Sequence, residues 1–288
     1  MGKLDWRAWR GTVEETMILP LLSRASCSKK YPGLFRDPGA EKAAAVLAPE
    51  CGSRLRQMAG ACGPLYALRQ DLLVWAARRY LRQYPDAVIV NLGCGLDTSF
   101  KKADNGRCRW INLDLPEVIR LRGELLSCGE REENLAWNAA DLSWTDRLRE
   151  GGKCFVIGGG VFYYFQPEQV KNLFCGLAAA FPEGGVCFDC QSSRALRQAQ
   201  KTAKKAGGPA RGMHFAVDDA ETLFRPWSER FGKIETISRL PRQYFSRGFL
   251  PLGIRMKLRY ELESGMLKFV EIRFRKENSP CCFFDYKL

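Results

Sequence analysis

The 288-residue chain is poor in histidine and has no long hydrophobic run, and both absences narrow what it can do. His214 is its one histidine, which leaves a single imidazole for general-base work and for completing any zinc site. No apolar run approaches the roughly 18 to 20 residues needed to span a bilayer, so no membrane-embedded segment is expected. The amino terminus, MGKLDWRAWRG, lacks the apolar stretch of a secretory leader, and Trp6 stands where a myristoylation signal needs Ser or Thr. A cytoplasmic location is the expectation, with the 12 cysteines as reduced thiols. Cys187 and Cys190 form the one C-x-x-C pair, in an apolar run where strand residues three apart face opposite sides and cannot hold one ion. Cys281 and Cys282 are adjacent and have one histidine in the chain to help them, so no metal site is expected.

Lysine and arginine number 45 against 32 acids, a net charge of +13. Such an excess suits a nucleic-acid partner, but the positive residues are scattered. The run at 201–205 is interleaved with small and polar residues instead of stacking aromatics, and reads as a solvated helix face. A hydrophobic content of 46% supports a substantial core, as one large α/β domain or a domain with a cap. There is no internal repeat and no low-complexity tract.

Residues 1–86 read as helices without a strand, at 12–22, at 39–47 (started by Asp37-Pro38) and at 65–83. In the third, Leu65, Leu68, Leu72, Trp75 and Ala76 share one stripe, and Pro85 ends it. From residue 87 onward, short apolar runs at 87–92, 108–113, 134–139, 153–158 and 184–190 alternate with helical patterns at 116–128 and 167–181. That alternation predicts an α/β fold with a parallel sheet and right-handed crossovers. Further strands are expected near 233–240 and 266–275. Residues 191–230 and 241–264 read as a long irregular insertion, rich in Arg, Gly, Pro and aromatics, suited to a lid facing a substrate.

The densest signal lies at 88–116, VIVNLGCGLDTSFKKADNGRCRWINLDLP. Val88-Ile89-Val90 is the apolar run of a doubly covered strand, and Gly93 and Gly95 follow where the chain must turn without Cβ atoms in the way. Asp114 ends the next apolar run, where a carboxylate accepts hydrogen bonds from the ribose of an adenine-containing cofactor. Thr98 stands where the dinucleotide fingerprint needs a small residue, which weakens a nicotinamide reading. A structural turn is the plainer alternative.

The phrases LGCGLDTSF and WINLDLPEVIRLR, followed by Asp141-Leu142, resemble the leucine carboxyl methyltransferase family, which includes polyketide O-methyltransferases of the tetracenomycin type. The similarity runs from about residue 14 to about residue 274. It implies a class I methyltransferase: a Rossmann-like, mostly parallel sheet with a closing antiparallel strand, an amino-terminal helical cap at 1–86 and a methyltransferase domain with a lid insertion at 87–288. The implied cofactor is S-adenosyl-L-methionine (SAM). The segment EETMILPLLSRASCSKKYPGLFRDPGAEK is similar to the family's amino-terminal signature, in which a basic residue before the Tyr-Pro, here Lys30, and an arginine on a later helix, here Arg69, bind the cofactor carboxylate.

On this resemblance Gly93, Cys94 and Gly95 let the backbone approach the methionine part of SAM. Asp97 receives its ammonium group or merely caps the following helix. Asp114, with Leu115 beside it, is assigned to the ribose and could also cap the helix at 116. Asp141 matches the residue that meets the adenine amino group, with Leu142 on the ring, and its alternative is an Asx-turn. Gly159 and Gly160 complete the expected cofactor contacts, although many relatives carry glutamate where Gly159 stands. Tyr163 and Tyr164 are the candidate catalytic residues, with aromatic packing as the alternative. His214 as a base is set against an exposed lid position.

The activity implied is methyl transfer to a carboxylate or acidic hydroxyl of a small molecule of polyketide or secondary-metabolite type. The carboxylate is favoured because the loop at 158–164 holds no acid or imidazole. The Asp/Asn-Pro-Pro-aromatic motif of base-modifying enzymes is absent after the fourth strand, which argues against a nucleic-acid partner. An RNA-modifying or RNA-binding protein and a SAM-binding domain without transfer activity are the rival readings; oligomeric state is not legible. Calorimetry is expected to show binding of SAM and S-adenosylhomocysteine (SAH) but not NAD, with Asp114→Ala costing about 1.5–3 kcal/mol if the ribose bonds are made. Unchanged affinity in a folded variant would remove Asp114 from the site.

Overall fold

Strand β1 (Val88–Leu92) shows why the sheet lies in the middle of the molecule: all five of its residues are buried. Side chains alternate across a strand, so Val88, Val90 and Leu92 enter the core on one face and Ile89 enters the core on the other. The structure, a computed structural model, describes residues 17–206, 212–237, 241–246 and 248–276. The remaining strands are β2 (Arg109–Asp114), β3 (Glu132–Ala136), β4 (Cys154–Gly158), β5 (Gly185–Cys190), β6 (Phe231–Thr236) and β7 (Lys268–Phe274). They form one seven-stranded sheet in the order β3-β2-β1-β4-β5-β7-β6. The first five strands are parallel, and β7 inserts antiparallel between β5 and β6. This is the mostly parallel sheet with a closing antiparallel strand that the resemblance implies. Cys187 and Cys190 of β5 belong to the cores on opposite faces, as their spacing requires.

Three helices precede the sheet: α1 (Ile18–Lys30), α2 (Pro38–Leu47) and α3 (Ser53–Gln83). Asp37 starts α2 as expected, its side chain accepting the Ala40 N–H at 2.9 Å with Pro38 in the first turn. The first helix expected from the sequence, at 12–22, falls partly outside the described residues; the observed α1 runs on to Lys30. The third helix, expected to begin at residue 65, begins at Ser53 and passes through Pro64. A proline inside a helix costs about 3 kcal/mol, and packing against α1 offsets it. At Gly63 a Cβ would stand 3.1 Å from the Ser23 carbonyl of α1 and 3.3 Å from the Cys27 side chain, so the two helices touch where proline removes a backbone bond.

Helix α3 is also part of the sheet's packing. Leu68, Leu72, Ala76 and Tyr80 share a buried cluster with Ile89, Phe155, Ile157 and Phe269 on one face. The opposite face is covered by α6 (Pro167–Ala180), through Val170, Leu173, Phe174 and Leu177. Short helices α4 (Phe100–Ala103) and α5 (Pro116–Leu125) follow β1 and β2. The insertion read as irregular is partly helical: α7 (Ser193–Ala206) and α8 (Ala220–Phe224) precede β6, and α9 (Leu252–Glu263) precedes β7. Its glycines and prolines lie between these helices and at their ends, which hid their periodicity. Among the described residues no helix is long and apolar enough to cross a membrane.

Phe174 is fully buried among Phe162, Phe188 and Phe224, at ring-centroid distances of 5.2, 5.3 and 5.9 Å. Phe174→Ala is expected to destabilise the fold by about 3–5 kcal/mol. Urea unfolding checks this, as a lower midpoint at unchanged slope.

Candidate active site

The turn after β1 is shaped by two glycines with φ of +63° (Gly93) and +49° (Gly95). A Cβ on Gly93 would come within 2.5 Å of Val161, so a side chain is excluded by strain and by the neighbouring loop alike. The turn's carbonyls are held by two buried arginines. Arg24 of α1 donates to the Leu96 oxygen at 2.8 Å, and Arg122 of α5 donates to the oxygens of Gly95 and Asp97. The first is fixed by Asp37 and the second by Glu132 and Asn134. Thr98 accounts for its place in the motif by donating its hydroxyl to Asp37 at 2.7 Å, which ties the turn to the start of α2.

Beside this turn opens a cavity of about 550 Å³, within the range of small-molecule sites. It brings together most of the residues singled out from the sequence: Arg69, Gly93, Cys94, Gly95, Asp97, Asp114, Leu115, Gly159, Gly160, Tyr163 and Tyr164 line it. The Asp114 carboxylate accepts the Gly95 N–H at 2.7 Å and its neighbour Leu115 N–H at 2.8 Å. It does not cap α5, whose start carries no side-chain cap. The Asp97 carboxylate accepts from Gln70, Asn91 and the Ser99 N–H. Burial works against its charge, yet Arg24 and the bonds from Ser99 and Gln70 more than offset this and hold the carboxyl below its ordinary value of 3.8.

Three of the expected cofactor residues, Lys30, Asp141 and Leu142, are not on the cavity wall, and neither is His214. Lys30 ends α1 exposed, near the Tyr31 ring, and the same helix instead places Arg24 at the cavity. The reason is the helical turn: Arg24 is on the buried face of α1, whereas Lys30 points out at its last turn, where a cation suits the helix dipole. Asp141 is exposed and bonds to Ser143 and Trp137, the Asx-turn alternative. Leu142 packs into α6, so close to Gly176 that a Cβ there would collide with it. His214 is exposed and off the wall, its backbone N–H donating to the Tyr163 carbonyl at 2.7 Å.

The structure also adds residues. Asp189 of β5, 1% exposed, accepts the Gly160 N–H at 2.6 Å and the Tyr163 hydroxyl at 3.0 Å, with Arg69 at 3.5 Å. An acid ending an apolar strand was the signal that singled out Asp114, and the same signal was present in GVCFDC. Gly160 has φ of +80°, and a Cβ on it would meet the Arg69 guanidinium at 2.7 Å. A Cβ on Gly159 would meet Leu73 at 3.0 Å.

A model of the leucine carboxyl methyltransferase family matches residues 18–178, more than half of the chain. The chain belongs to this family. It is a SAM-dependent methyltransferase. It is similar to the tetracenomycin polyketide synthesis O-methyltransferase TcmP of Streptomyces glaucescens, 26% identical over 189 residues that cover 65% of this chain and 69% of that protein. Among solved structures it is similar to human N-acetylserotonin methyltransferase in complex with SAM, 14% identical, covering 96% of this chain and 69% of the other at a TM-score of 0.49. It is similar too to magnesium protoporphyrin IX methyltransferase from Synechocystis PCC 6803 with bound SAH, 12% identical, covering 83% and 95% at a TM-score of 0.48.

The residues present fit SAM. The Gln70 Oε1 atom is buried without a hydrogen-bond partner beside Asp97, an acceptor that a cofactor ammonium would satisfy. Arg24 and Arg69 are the two cations among the described wall residues, the complement a cofactor carboxylate needs.

Because the folded pKa of Asp97 is depressed, its contribution to stability is complete above the unfolded value and is lost as pH falls through the folded one. Asp97→Asn is expected to be less stable than wild type at neutral pH and to converge on it toward the acid end. Parallel denaturation curves from pH 7 downward check this. A constant gap would show that the carboxylate's charge plays no part.

Proposed function

We propose that this cavity binds SAM across the carboxyl ends of β1 and β2 and presents its methyl group to an oxygen of a small, largely apolar acceptor. The observation that carries the reading is the convergence of the glycine turn, Asp114 and the two wall arginines on one cavity, in a chain of this family. Gly93, Cys94 and Gly95 would lie against the methionine part, with Asp97 and Gln70 accepting from its ammonium. Asp114 would take the ribose hydroxyls, with Leu115 beside the adenosine. Arg69 and Arg24 would pair with the carboxylate, Arg24 in the role first assigned to Lys30. Residues 1–86 would act as a cap whose α1 and α3 close over the cofactor, and 87–288 as the methyltransferase domain.

SAM, when bound, supplies a methyl group on a sulfonium. The chain's own residues then need to hold the acceptor oxygen in line, exclude water and manage a proton, and placement alone contributes about 7–11 kcal/mol. The wall away from the glycine turn includes Tyr66, Tyr164, Met213, Met266 and Leu267, a surface suited to an apolar or aromatic ring. Similarity to a polyketide O-methyltransferase supports the same class of acceptor. The loop at 158–164 holds no acid or imidazole of its own, and Asp189 reaches it from β5, bonded to the Gly160 N–H and the Tyr163 hydroxyl.

Arg69→Lys is expected to weaken SAM binding several-fold by calorimetry, because an ammonium cannot reproduce a two-bond fork. SAM is also expected to slow protease cleavage within residues 17–86. Equal cutting with and without SAM would show a cap indifferent to the cofactor. With isotopically labelled SAM and a panel of small apolar hydroxy and carboxy compounds, the label should appear on oxygen; label confined to nitrogen, sulfur or carbon would refute the reading.

A further inference from the structure

We propose that the outward face of helix α9, with the turn that leads into it, docks on an anionic lipid surface. The contact is peripheral and not a span, since among the described residues no helix is long and apolar enough to cross a membrane.

The argument starts from where apolar surface is left uncovered. Four of the exposed large hydrophobic side chains lie in one short stretch: Phe249 at 42% exposed, Leu252 at 62%, Met256 at 63% and Tyr260 at 65%. The last three are spaced four residues apart along α9 and so form one stripe. The opposite side of the same helix is already covered. Leu258 is buried in the cluster that includes Leu68 and Phe269, and Ile254 and Leu262 pack against it. A surface helix turns polar residues to water on its outward side. Here leucine, methionine and tyrosine stand there instead, and a contiguous exposed patch of that kind marks an interaction site.

Charge selects the occupant. Between Glu235 and Glu261 the sequence contains no acid. Lys257 and Arg259 flank the stripe on its two sides and are exposed, and so is Arg242 in the entry turn, whose Phe245 carbonyl accepts from Arg255 of α9 at 3.2 Å. None of Arg242, Lys257 and Arg259 forms an ion pair with a described residue. Glu263, in the last turn, is the exposed acid of this helix. A second copy of the chain would bring like charges together across the face, which disfavours self-association. An acidic protein would need a surface shaped to each projecting side chain. A bilayer needs none: apolar tips sink to the acyl boundary, a tyrosine lies at headgroup level, and lysine and arginine reach the phosphates.

The face also adjoins the cavity. Glu261, next to Tyr260, is on the cavity wall, and so is Met58 of α3, itself exposed. Docking through α9 would hold that side of the cavity near lipid, where a small apolar acceptor concentrates. This last step rests on the proposed function. The docking does not, because vesicle binding needs neither an acceptor nor methyl transfer.

The test is flotation of the full chain with vesicles of phosphatidylcholine alone and of phosphatidylcholine mixed with phosphatidylglycerol. The chain is expected to float with the mixed vesicles, not with the neutral ones, and less as salt is raised. Leu252→Glu combined with Met256→Glu should abolish flotation and leave the thermal midpoint at the wild-type value. Lys257→Gln combined with Arg259→Gln should weaken binding about 10- to 30-fold, each base near an anionic surface contributing roughly a fivefold factor. No flotation with the mixed vesicles, or flotation that the Leu252→Glu, Met256→Glu variant retains, would overturn the proposal. A dimer dissolved by that variant, without vesicle binding, would give the face to a second copy of the chain. Binding to polyglutamate without binding to vesicles would give it to an acidic protein, and either result overturns the lipid assignment.

Discussion

Two buried arginines grip the turn after β1, and the rest of the site depends on that grip. A loop with two left-handed glycines has several conformations open to it. Arg24 and Arg122, each anchored to an acid, take the carbonyls of Gly95, Leu96 and Asp97 and restrain the turn. Buried ion pairs of this kind add little net stability, because desolvation consumes most of the Coulomb attraction. What they add here is position. The held turn presents the Gly95 N–H to Asp114, sets Asp97 beside Gln70, and carries Thr98 to Asp37 at the start of α2.

Helix α3 connects that turn with the opposite wall of the cavity. Its buried stripe packs on β1, β4 and β5, so its side chains at the sheet's carboxyl end are held as firmly as the core. Gln70 reaches Asp97 on one side, while Arg69 reaches Asp189 and the glycine loop after β4 on the other. The glycine at 160 is favoured by its positive φ, and the end of the Arg69 side chain lies where its Cβ would stand. Charged groups reach this glycine stretch from α3 and β5, as Arg69 and Asp189.

The strands and their order of appearance were legible in the sequence because a parallel sheet covered on both faces must be written as short apolar runs. Val88–Leu92 and Cys154–Gly158 are examples, each buried along its whole length. The glycine turn and Asp114 were legible because their chemistry is local: a turn, a strand end and an acid close in sequence. Helix α9 was hidden by the glycine and proline near its start. Helix α3 was cut short at Pro64 because the contact that compensates for the proline comes from α1, distant in sequence.

Sequence by itself determined the α/β class, the family and the turn at 93–97, since periodicity and local motif chemistry are properties of the chain alone. Tertiary structure decided which charged residues reach the cavity. Lys30 and Arg24 lie on one short helix, and the burial of one face selects Arg24. Asp189 and Tyr163 are separated by α6 in sequence, and become partners because β4 and β5 pair in parallel and bring their carboxyl ends together. A hydrogen bond needs groups within reach of each other, and here that distance is set by the sheet, not by the spacing of letters.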